Sequence, residues 1–475
     1  MPDALRRKTK IVAPLGPATD APGVLDGLVA AGLDCARLNC SHGTGPELVE
    51  RAEAVRAAAA RAGRPIGVLF DLQGPKLRLS ASTSERRIGI GESMTFSSNR
   101  SSGGVLGHAT VDCDGFARLV TSGSEIVIGD GVPRFAVEHA RGETVTARAV
   151  SAGAIAPRKG VNVIRARPEL PAITDKDVDD LNTAMAVGAD FVALSFVRSA
   201  ADIEELRQRL RAGGSRAAIV AKIETVEAYE RIDEIIAAAD GVMVARGDFG
   251  VTAGLARVPL MQKDTIWRAT QAGKFVITAT QMFESMIQAP EPTRAEVADV
   301  ANAVIDGTSA VMLSAETGVG RHPVDAVRMM SLVAQAAEET PVVHGRARVG
   351  EHPGDTSAEG VMHAAVLLAD QLRARLLVIP TATGGAVRAC AKFRLRTPML
   401  ALAHDPVVAA QLTTEWGVQP LYVEVGGSPH ELAEHALDIA RDTCGLASGD
   451  HVVVTVGPQA FSPGATNVIV VRELP

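Results

Sequence analysis

Two neighbouring apolar runs of the chain carry charged residues at alternate positions. "AAIVAKIE" ends in Lys222 and Glu224, and "GVMVARGD" ends in Arg246 and Asp248. Residues two apart on a strand share a face, so each run is expected to present its two charged side chains together. Carboxylate oxygens from neighbouring strands suit Mg²⁺ or Mn²⁺ held with substrate oxygens and water. Fixed cations beside such a metal would stabilise a transferring phosphoryl group or an enolate.

Other apolar runs also end in polar residues. One such end can be explained by solvation alone, but the full set predicts a shared site. Thr280 is placed to orient water or relay a proton, and Gly247 would let backbone amides approach a substrate carboxylate. The remaining polar positions at these ends are Arg37, Asn39, Ser41, His42, Asp71, Thr278, Ser314 and Glu316.

Eight apolar runs of strand length alternate with helical patterns, which predicts parallel strands covered on both faces and closed into a (β/α)8 barrel. In the helical segment "PTRAEVADVANAVIDG", Thr293 is the predicted N-cap, Glu296 completes a capping box and Gly307 ends the helix. The carboxyl ends of barrel strands form one mouth, where chemistry is expected. The runs occupy residues 9–15, 34–40, 66–73, 190–197, 217–224, 241–248, 274–281 and 309–316.

Two further units are predicted around this barrel. Gly-rich turns and strand-like alternation between the third and fourth runs indicate an inserted small β-barrel lid at 79–165, so the barrel would comprise 1–78 and 166–340. A loop-rich linker at 340–360 is followed by strands alternating with helices. Residues 341–475 are therefore predicted to form a C-terminal α/β open-sheet domain.

Composition narrows the class of protein. The chain has 475 residues, 47% of them apolar, and a formal net charge of -7, which gives no footprint for nucleic acid. The amino terminus lacks the pattern of a signal peptide and no apolar run reaches the length of a membrane span, so we expect a cytoplasmic protein without membrane contact. Five scattered cysteines suggest neither disulfides nor a zinc site, and we expect them to be reduced and mostly packed.

Several ordered fragments resemble the pyruvate kinase family across nearly the whole chain: "TKIVAPLGPAT", "ARLNCSHG", "DLQGPKLR", "AKIET", "MVARGDFG", "ITATQMFESMI", "PTRAEVADVANAVIDGTSAVMLSAETG" and "PGATNVIVV". The resemblance implies phosphoryl transfer between phosphoenolpyruvate and ADP, giving pyruvate and ATP, with Mg²⁺ or Mn²⁺. It also implies a barrel with a lid, a C-terminal α/β domain and a homotetramer.

The resemblance implies a role for each matching residue. Lys222 would stabilise the phosphoryl transition state, with Arg37 on the phosphoryl group, and Glu224 and Asp248 would hold the metal. The amides of Gly247 and Asp248 and the side chain of Thr280 would bind the pyruvyl carboxylate, with Thr280 near the protonation site. The residues on the nucleotide side would be Asn39, Ser41, His42, Arg78 and Lys159, the last on a closing lid.

The stretch "DLQGPK" departs from the family's commonest run. Lys76 stands where an acid is usual, and Leu72 and Gln73 resemble the companions found in the K⁺-independent branch. In K⁺-requiring members the ion is held by the positions of Asn39, Ser41, Asp71 and the Leu72 carbonyl. A tethered ammonium could replace that ion. We therefore expect no K⁺ requirement; the alternative is a surface salt bridge between Asp71 and Lys76.

Two smaller departures carry lesser predictions. Cys40 replaces the usual Phe, which indicates either a repacked core or a redox-sensitive thiol. Pro14 replaces a usual Thr, which would alter a turn near the site without removing a metal ligand.

In "PTATGGAVR" a strand leads into a helix, and Thr381, Thr383 and Gly384 resemble the family's effector loop, although a later hydroxyl position is Ala386. This predicts an anionic effector such as AMP or a sugar phosphate, against an ordinary strand-to-helix turn. Rival functions are a Mg²⁺-dependent lyase or aldolase acting on pyruvate, and a non-catalytic paralogue that binds metabolites.

Overall fold

The computed structural model describes residues 7–98, 107–129, 131–164, 170–344, 356–424, 428–457 and 466–474. In chain order the strands are β1 (Lys10–Pro14), β2 (Cys35–Asn39), β3 (Gly67–Asp71), β4 (Arg86–Ile88), β5 (Ser93–Ser97), β6 (His108–Thr110), β7 (Glu125–Ile128), β8 (Arg134–Arg141), β9 (Thr144–Ala149), β10 (Gly153–Ile155), β11 (Val161–Ile164), β12 (Phe191–Leu194), β13 (Ala218–Ile223), β14 (Gly241–Ala245), β15 (Phe275–Ala279), β16 (Ala310–Met312), β17 (Leu376–Thr381), β18 (Met399–Ala403), β19 (Val418–Tyr422), β20 (His451–Val456) and β21 (Val468–Glu473).

The α-helices lie between these strands and follow the last barrel strand. They are α1 (Val24–Ala31), α2 (Gly45–Ala62), α3 (Asp175–Ala186), α4 (Ala200–Ala212), α5 (Val226–Glu230), α6 (Ile232–Ala238), α7 (Arg246–Ala253), α8 (Val258–Gln271), α9 (Arg294–Asp306), α10 (Ala315–Gly318), α11 (Pro323–Glu338), α12 (Ser357–Gln371), α13 (Gly385–Ala391), α14 (Pro406–Gln411) and α15 (Pro429–Cys444).

Eight parallel strands close into a barrel in the order β1-β16-β15-β14-β13-β12-β3-β2. Each of the eight predicted runs contains one of them, so the predicted barrel is confirmed. Alternate residues serve different cores: Val12 and Met243 pack inside the barrel, whereas Ile11 and Val244 pack outward against the helices. The strand ends that carry polar residues therefore meet at one mouth.

The predicted capping of α9 is confirmed. Thr293 accepts a hydrogen bond from the Glu296 amide, Glu296 accepts one from the Thr293 amide, and Gly307 ends the helix with a φ of 96°. Only a residue without a Cβ adopts that backbone angle at little cost. This end of the helix sets the start of β16.

The segment between β3 and α3 is the predicted β unit. Its six-stranded sheet has the order β11-β7-β8-β9-β5-β6, and β10 pairs with β4 in a separate ribbon. Its core includes Phe96, Phe116 and Phe135. Within the described residues this sheet is open between β11 and β6, so the predicted small β-barrel takes the form of a half-barrel. Its predicted last residue, 165, lies outside the described residues.

The C-terminal unit is the predicted α/β open sheet, with strand order β19-β18-β17-β20-β21. It packs on the amino-terminal face of the barrel. Buried Arg394 donates to the Gly307 carbonyl at 2.7 Å, and the Gly417 amide donates to the Lys8 carbonyl at 2.8 Å. The centre of the predicted linker, 345–355, and the start of the "PGATNVIVV" fragment lie outside the described residues.

Over the ranges that the structure describes, no helix combines the length and apolarity needed to cross a membrane. All five cysteines are free thiols, four of them buried and Cys113 half-buried. The burial of four thiols agrees with the expectation that the cysteines are mostly packed.

Candidate active site

Lys222 projects from the end of β13 into the barrel mouth, where buried oxygen atoms surround its ammonium. The Nζ atom lies 3.0 Å from Asp71 Oδ1, 3.1 Å from Glu224 Oε1 and 2.6 Å from Ser195 Oγ. Burial opposes its charge, but the two carboxylates more than compensate and raise the pKa of Lys222 above its usual value. The site therefore holds a fixed positive charge, as the alternation of Lys222 and Glu224 predicts.

Asp71, at the end of β3, links two cations. Its second oxygen accepts from Arg37 Nε at 2.7 Å and from Nη2 at 2.6 Å, while the first holds Lys222. Although burial opposes ionisation, these cations keep the pKa of Asp71 below its ordinary value. Asp71 therefore orients Arg37 and Lys222 toward the same cavity.

Glu224 and Asp248 provide a donor set that suits a divalent cation. Glu224 is buried and accepts from the Phe196 amide at 2.8 Å. Burial and the Asp248 charge raise the pKa of Glu224, although Lys222 opposes the shift. Two mutually repelling carboxylates facing one cavity are the oxygen ligands that Mg²⁺ or Mn²⁺ favours. Among the described residues no group of three or more His, Cys, Asp or Glu could hold a metal.

Lys76 does not pair with Asp71, so the alternative of a salt bridge between these residues is wrong. Lys76 Nζ instead lies 2.9 and 3.1 Å from the two carboxylate oxygens of Asp248, and 5.8 Å from the centre of the Phe196 ring. Asp71 is already occupied by Arg37 and Lys222. Nearness in sequence is a poor guide here because the turn at Gly74 redirects the chain.

The prediction that Arg246 shares a face with Asp248 is also wrong. The strand β14 ends at Ala245, and α7 begins at Arg246, so the side-chain period changes from 2 to 3.6 at this point. Asp248 faces the cavity, while Arg246 turns behind it to Asp299 at 2.7 Å.

Arg246 holds the turn that carries Thr280. Its guanidinium donates to the Ala279 carbonyl at 3.1 Å and to the Thr280 carbonyl at 2.6 Å. Thr280 and Gln281 have φ values of 76° and 54°, in the left-handed region that side chains with a Cβ rarely adopt. Such strain is maintained only by surrounding contacts and is typical of functional sites. We did not predict this supporting role of Arg246 from the sequence.

Gly247 lies in the first turn of α7, where backbone amides have no partner within a helix. A Cβ at this position would lie 3.1 Å from the Thr280 Cγ2 atom. The space between Gly247 and Thr280 is thus kept free of side-chain atoms, which fits the expected approach of a substrate carboxylate.

One cavity of about 660 Å³ brings most of the predicted residues together. Thr278 is not among them, because its hydroxyl donates to Thr308 in the buried layer below; Glu316 is likewise used internally, accepting from the Phe283 and Ser314 amides. The predicted residues that line the cavity are Arg37, Asn39, Ser41, His42, Asp71, Lys76, Arg78, Lys222, Glu224, Gly247, Asp248, Thr280 and Ser314.

Lys159 lies outside this cavity. Its ammonium donates to the Ala154 carbonyl at 2.9 Å within the inserted β unit. His42 does line the cavity, and burial together with Arg78, Arg37 and Lys76 lowers its pKa. The imidazole is therefore uncharged at pH 7, so it could contribute a hydrogen bond to a ligand but no positive charge.

Two residues that follow β12 were missed at the sequence level. Ser195 donates to the Leu72 carbonyl at 2.7 Å and accepts from Lys222. Phe196 has a φ of 55° and presents its amide to Glu224. The run "ALSFV" contains no charge that would have singled them out; only their place at a strand end could have done so.

Two family models match this chain. "Pyruvate kinase, barrel domain" matches residues 6–327, and "Pyruvate kinase, alpha/beta domain" matches residues 359–472. A pyruvate kinase of Mycobacterium tuberculosis is 37% identical over 475 residues, covering 99% of both chains. One of Methylorubrum extorquens is 38% identical over 471 residues, 98% of this chain and 96% of the relative. One of Geobacillus stearothermophilus is 38% identical over 483 residues, 99% of this chain and 81% of the relative.

The chain belongs to the pyruvate kinase family.

Within this pyruvate kinase fold, one of the two unusual positions, Cys40, is buried away from the cavity, and the other, Pro14, lines it. Cys40 is fully buried, and burial raises the pKa of its thiol far above the ordinary value, which favours the packed-core interpretation over a reactive thiol. Pro14 lies in β1 and its carbonyl accepts from Thr317 at 2.8 Å.

The predicted effector loop of this pyruvate kinase is a tight turn between β17 and α13. Thr381 is buried and accepts from the Gly384 amide at 2.9 Å, and Gly384 has a φ of 82°. The carbonyl of exposed Thr383 accepts from Arg388 at 3.1 Å. Of the two predicted hydroxyls, only Thr383 faces solvent.

Proposed function

We infer that this protein transfers the phosphoryl group of phosphoenolpyruvate to ADP, giving pyruvate and ATP. The observation that carries this inference is the convergence of Lys222, Glu224, Asp248, Arg37 and Thr280 on one cavity. Two carboxylates for a metal, two fixed cations for a phosphoryl group and a hydroxyl near the pyruvyl end match the needs of this reaction.

Each of these side chains has a place in the reaction. Arg37 and Lys222 would neutralise charge on the phosphoryl group while a β-phosphate oxygen of ADP bonds to phosphorus and the bond to the enolate oxygen breaks. Glu224 and Asp248 would hold Mg²⁺ or Mn²⁺, which supplies a Lewis acid for the phosphoryl and enolate oxygens. The amides of Gly247 and Asp248 would hold the carboxylate, and Thr280 would lie beside the carbon that takes up a proton.

The nucleotide would lie on the side of the cavity formed by Asn39, Ser41, His42 and Arg78. We propose that Lys159 joins this side when the inserted unit closes. In the geometry described here its ammonium is engaged by the Ala154 carbonyl, so this role requires a movement of the unit.

One assay separates the candidate functions. The protein is incubated with phosphoenolpyruvate, ADP and Mg²⁺, and both pyruvate and ATP are measured. Equal yields of both are expected. Pyruvate released without ATP formation would show that the phosphoryl group passes to water and not to ADP, and neither product would indicate a pyruvate lyase or a non-catalytic paralogue.

We further propose that the enzyme needs no K⁺. The groups that resemble the family's K⁺ ligands have protein partners here: Asp71 binds Arg37 and Lys222, the Leu72 backbone carbonyl accepts from Ser195, and the Asn39 side-chain Oδ1 accepts from the Ser41 backbone amide at 3.0 Å. Lys76 adds a tethered ammonium to the same cavity. These contacts support a site whose monovalent charge comes from the chain itself.

An anionic effector such as AMP or a sugar phosphate is proposed for the loop of Thr381, Thr383 and Gly384. The support is the exposed hydroxyl of Thr383 beside a pre-formed turn; the buried Thr381 would shape that turn without reaching a ligand. Titrating AMP and sugar phosphates at sub-saturating phosphoenolpyruvate should change the saturation of the wild type and leave Thr383→Val unaffected. If none of these anions changes the saturation of the wild type, the loop is an ordinary strand-to-helix turn and not an effector site.

We also propose that copies of the chain meet at the outer face of α8. Leu260 and Trp267 are seven residues apart, so they share one face of this helix, and Leu255 lies just before it. Their exposed fractions are 71%, 61% and 81%. A cluster of large exposed apolar side chains is typical of a protein interface, and this supports the expected homotetramer.

A further inference from the structure

Lys76 makes a two-point contact with a residue of the proposed metal site. Its ammonium lies 2.9 and 3.1 Å from the two oxygens of Asp248, and the Phe196 ring stands 5.8 Å away on another side. In the part of the chain that the structure describes, Lys76 is the only cation that forms an ion pair with Asp248. Glu224, by contrast, already has Lys222 at 3.1 Å. Each proposed metal ligand therefore faces a lysine ammonium.

The backbone around Lys76 fixes where its ammonium can reach. Lys76 follows the Gly74 turn, whose φ is 66°, and its Cε lies 3.6 Å from the position that a Cβ would take at Gly160. The next residue, Leu77, accepts from the Val161 amide at 2.9 Å. The side chain thus leaves from the root of the inserted unit, between its outgoing and returning chains.

Because Lys76 Nζ contacts both Asp248 oxygens, the ammonium and a divalent cation would compete for this carboxylate. The ammonium already uses a lone pair on each oxygen, so a metal ion would have to bind through the remaining ones. The two cations would also repel each other at the distance of one shared carboxylate. We therefore expect a metal that uses Asp248 to move the Lys76 ammonium away from this carboxylate.

We propose that Lys76 is a built-in occupant of the divalent-cation site in the substrate-free enzyme. It neutralises Asp248 until an anionic substrate draws the ammonium away, and the metal then takes its place. This inference rests on the proposed function, which assigns Glu224 and Asp248 to the metal. It adds that metal and phosphoenolpyruvate bind with positive coupling, and that Lys76 is the residue through which they are coupled. By linkage, each ligand raises the affinity of the other by the same factor.

The test measures Mn²⁺ binding directly, from the electron paramagnetic resonance signal of the free ion at constant ionic strength. Wild type is compared with Lys76→Gln and Lys76→Met, each without substrate and with saturating phosphoenolpyruvate but no ADP. Without substrate, both variants should bind Mn²⁺ about tenfold more tightly or better than wild type, because no ammonium competes for Asp248. With phosphoenolpyruvate, the wild type should reach or exceed the affinity of the variants.

Arg78→Gln is the matched control, since Arg78 is a cation that lines the same cavity but donates to the Arg158 carbonyl at 3.3 Å and not to Asp248. Its Mn²⁺ affinity without substrate should stay within about threefold of the wild type, which is the range expected for a screened charge at longer range. Circular dichroism confirms that each variant is folded.

The outcomes distinguish a failure of the proposed function from a failure of the role proposed for Lys76. If no protein binds Mn²⁺ even with phosphoenolpyruvate, the proposed function fails. If all bind Mn²⁺ with phosphoenolpyruvate, but neither Lys76 variant binds it more tightly than wild type without substrate, only the role of Lys76 is overturned. The role of Lys76 would also be overturned if the variants exceeded the wild type in Mn²⁺ affinity by the same factor with and without phosphoenolpyruvate. The loss of one positive charge near the site would then explain the difference.

Discussion

Arg246 and Thr280 follow two neighbouring barrel strands and are joined by a 2.6 Å hydrogen bond from the guanidinium to the Thr280 backbone carbonyl. The donor stands at the start of α7 and the acceptor just after β15. This bond, with a second to Ala279, fixes the turn that aims the Thr280 side chain at the cavity. A residue outside the cavity thereby determines the position of one inside it.

The Arg246→Lys variant should lower kcat about tenfold to a hundredfold, because one ammonium cannot make both carbonyl contacts and small displacements of a positioned group are costly. Steady-state kinetics with varied phosphoenolpyruvate would measure kcat and KM. Arg268→Lys is the control, since Arg268 bonds two acids on the barrel surface. Equal activity of the two variants would show that the Thr280 turn does not depend on Arg246.

The Lys222→Ala variant should lose turnover, because a fixed positive charge on the transferring phosphoryl group contributes several kcal/mol in a dry site. The variant should remain folded by circular dichroism. Lys263→Ala, which removes a half-exposed surface lysine, should keep wild-type kcat. A Lys222→Ala enzyme with more than about a tenth of the wild-type kcat would contradict the assigned role.

Full activity is expected in a buffer whose only monovalent cation is tetramethylammonium, since in the proposed function Lys76 would supply the charge that K⁺ would bring. Lys76→Glu should either create K⁺ dependence or abolish activity. Initial rates with and without added K⁺ measure both effects. Strong activation of the unmodified enzyme by K⁺ would refute this prediction even if the phosphotransfer activity is present.

Trp267→Glu and Leu260→Glu should each yield a smaller assembly, because burying an unpaired carboxylate in an apolar interface is unfavourable. Light scattering coupled to size-exclusion chromatography would give the mass of each. Tyr422→Glu, which also changes an exposed apolar side chain, is the control. Unchanged mass for both α8 variants would place the interface elsewhere.

Asp34 should make stability depend on pH. It is buried and accepts from Arg7 and from the Ile11 amide, each at 2.8 Å. Burial opposes its charge, but Arg7, Lys10 and Arg64 hold its pKa below the ordinary value. The folded protein therefore favours the ionised form. This contribution is complete above the unfolded-state pKa, about 3.9, and is lost as the pH falls through the lower folded-state pKa.

At pH 7, Asp34→Asn should destabilise the barrel by about 3 to 5 kcal/mol, because the partners of a buried charge are left uncompensated. Thermal unfolding of wild type and variant at several pH values would measure the difference in Tm. That difference should narrow below pH ~4, where the unfolded-state carboxylate begins to take up a proton, and disappear once the pH falls below the lower folded-state pKa. A constant difference down to acid unfolding would show that the charge of Asp34 is not what stabilises the structure.

The regular parts of the fold were predictable because apolar runs and capping signals are local. Eight strands and the α9 capping box follow from patterns within a few residues. The alternation of Lys222 and Glu224 also held, since both lie at the end of one strand. It failed for Arg246, where a helix begins directly after the strand, and nothing in "ARGDFG" marks that change of period.

The partner of Lys76 could not be predicted from the sequence because it depends on a long-range contact. Asp71 is five residues away along the chain and Asp248 is 172 residues away. Lys76 pairs with Asp248 because the closed barrel already places Arg37 and Lys222 against Asp71. Two other residues show the same limit. Ser195 is uncharged, so the sequence gave no reason to place it beside Lys222. Lys159 is charged and was expected at the nucleotide, but its ammonium contacts the Ala154 carbonyl within the inserted unit.

The way in which the C-terminal unit covers the base of the barrel has a consequence during synthesis. Arg394 reaches the Gly307 carbonyl, and a Cβ at Gly67 would lie 2.6 Å from the Thr413 hydroxyl, so this face is shaped to receive residues translated after every barrel strand. A ribosome that has completed all eight strands still carries a barrel with an uncovered floor. Final closure of that floor must therefore wait until the C-terminal unit has been synthesised, and ribosomes stalled before codon 394 should display a barrel that proteases attack from below.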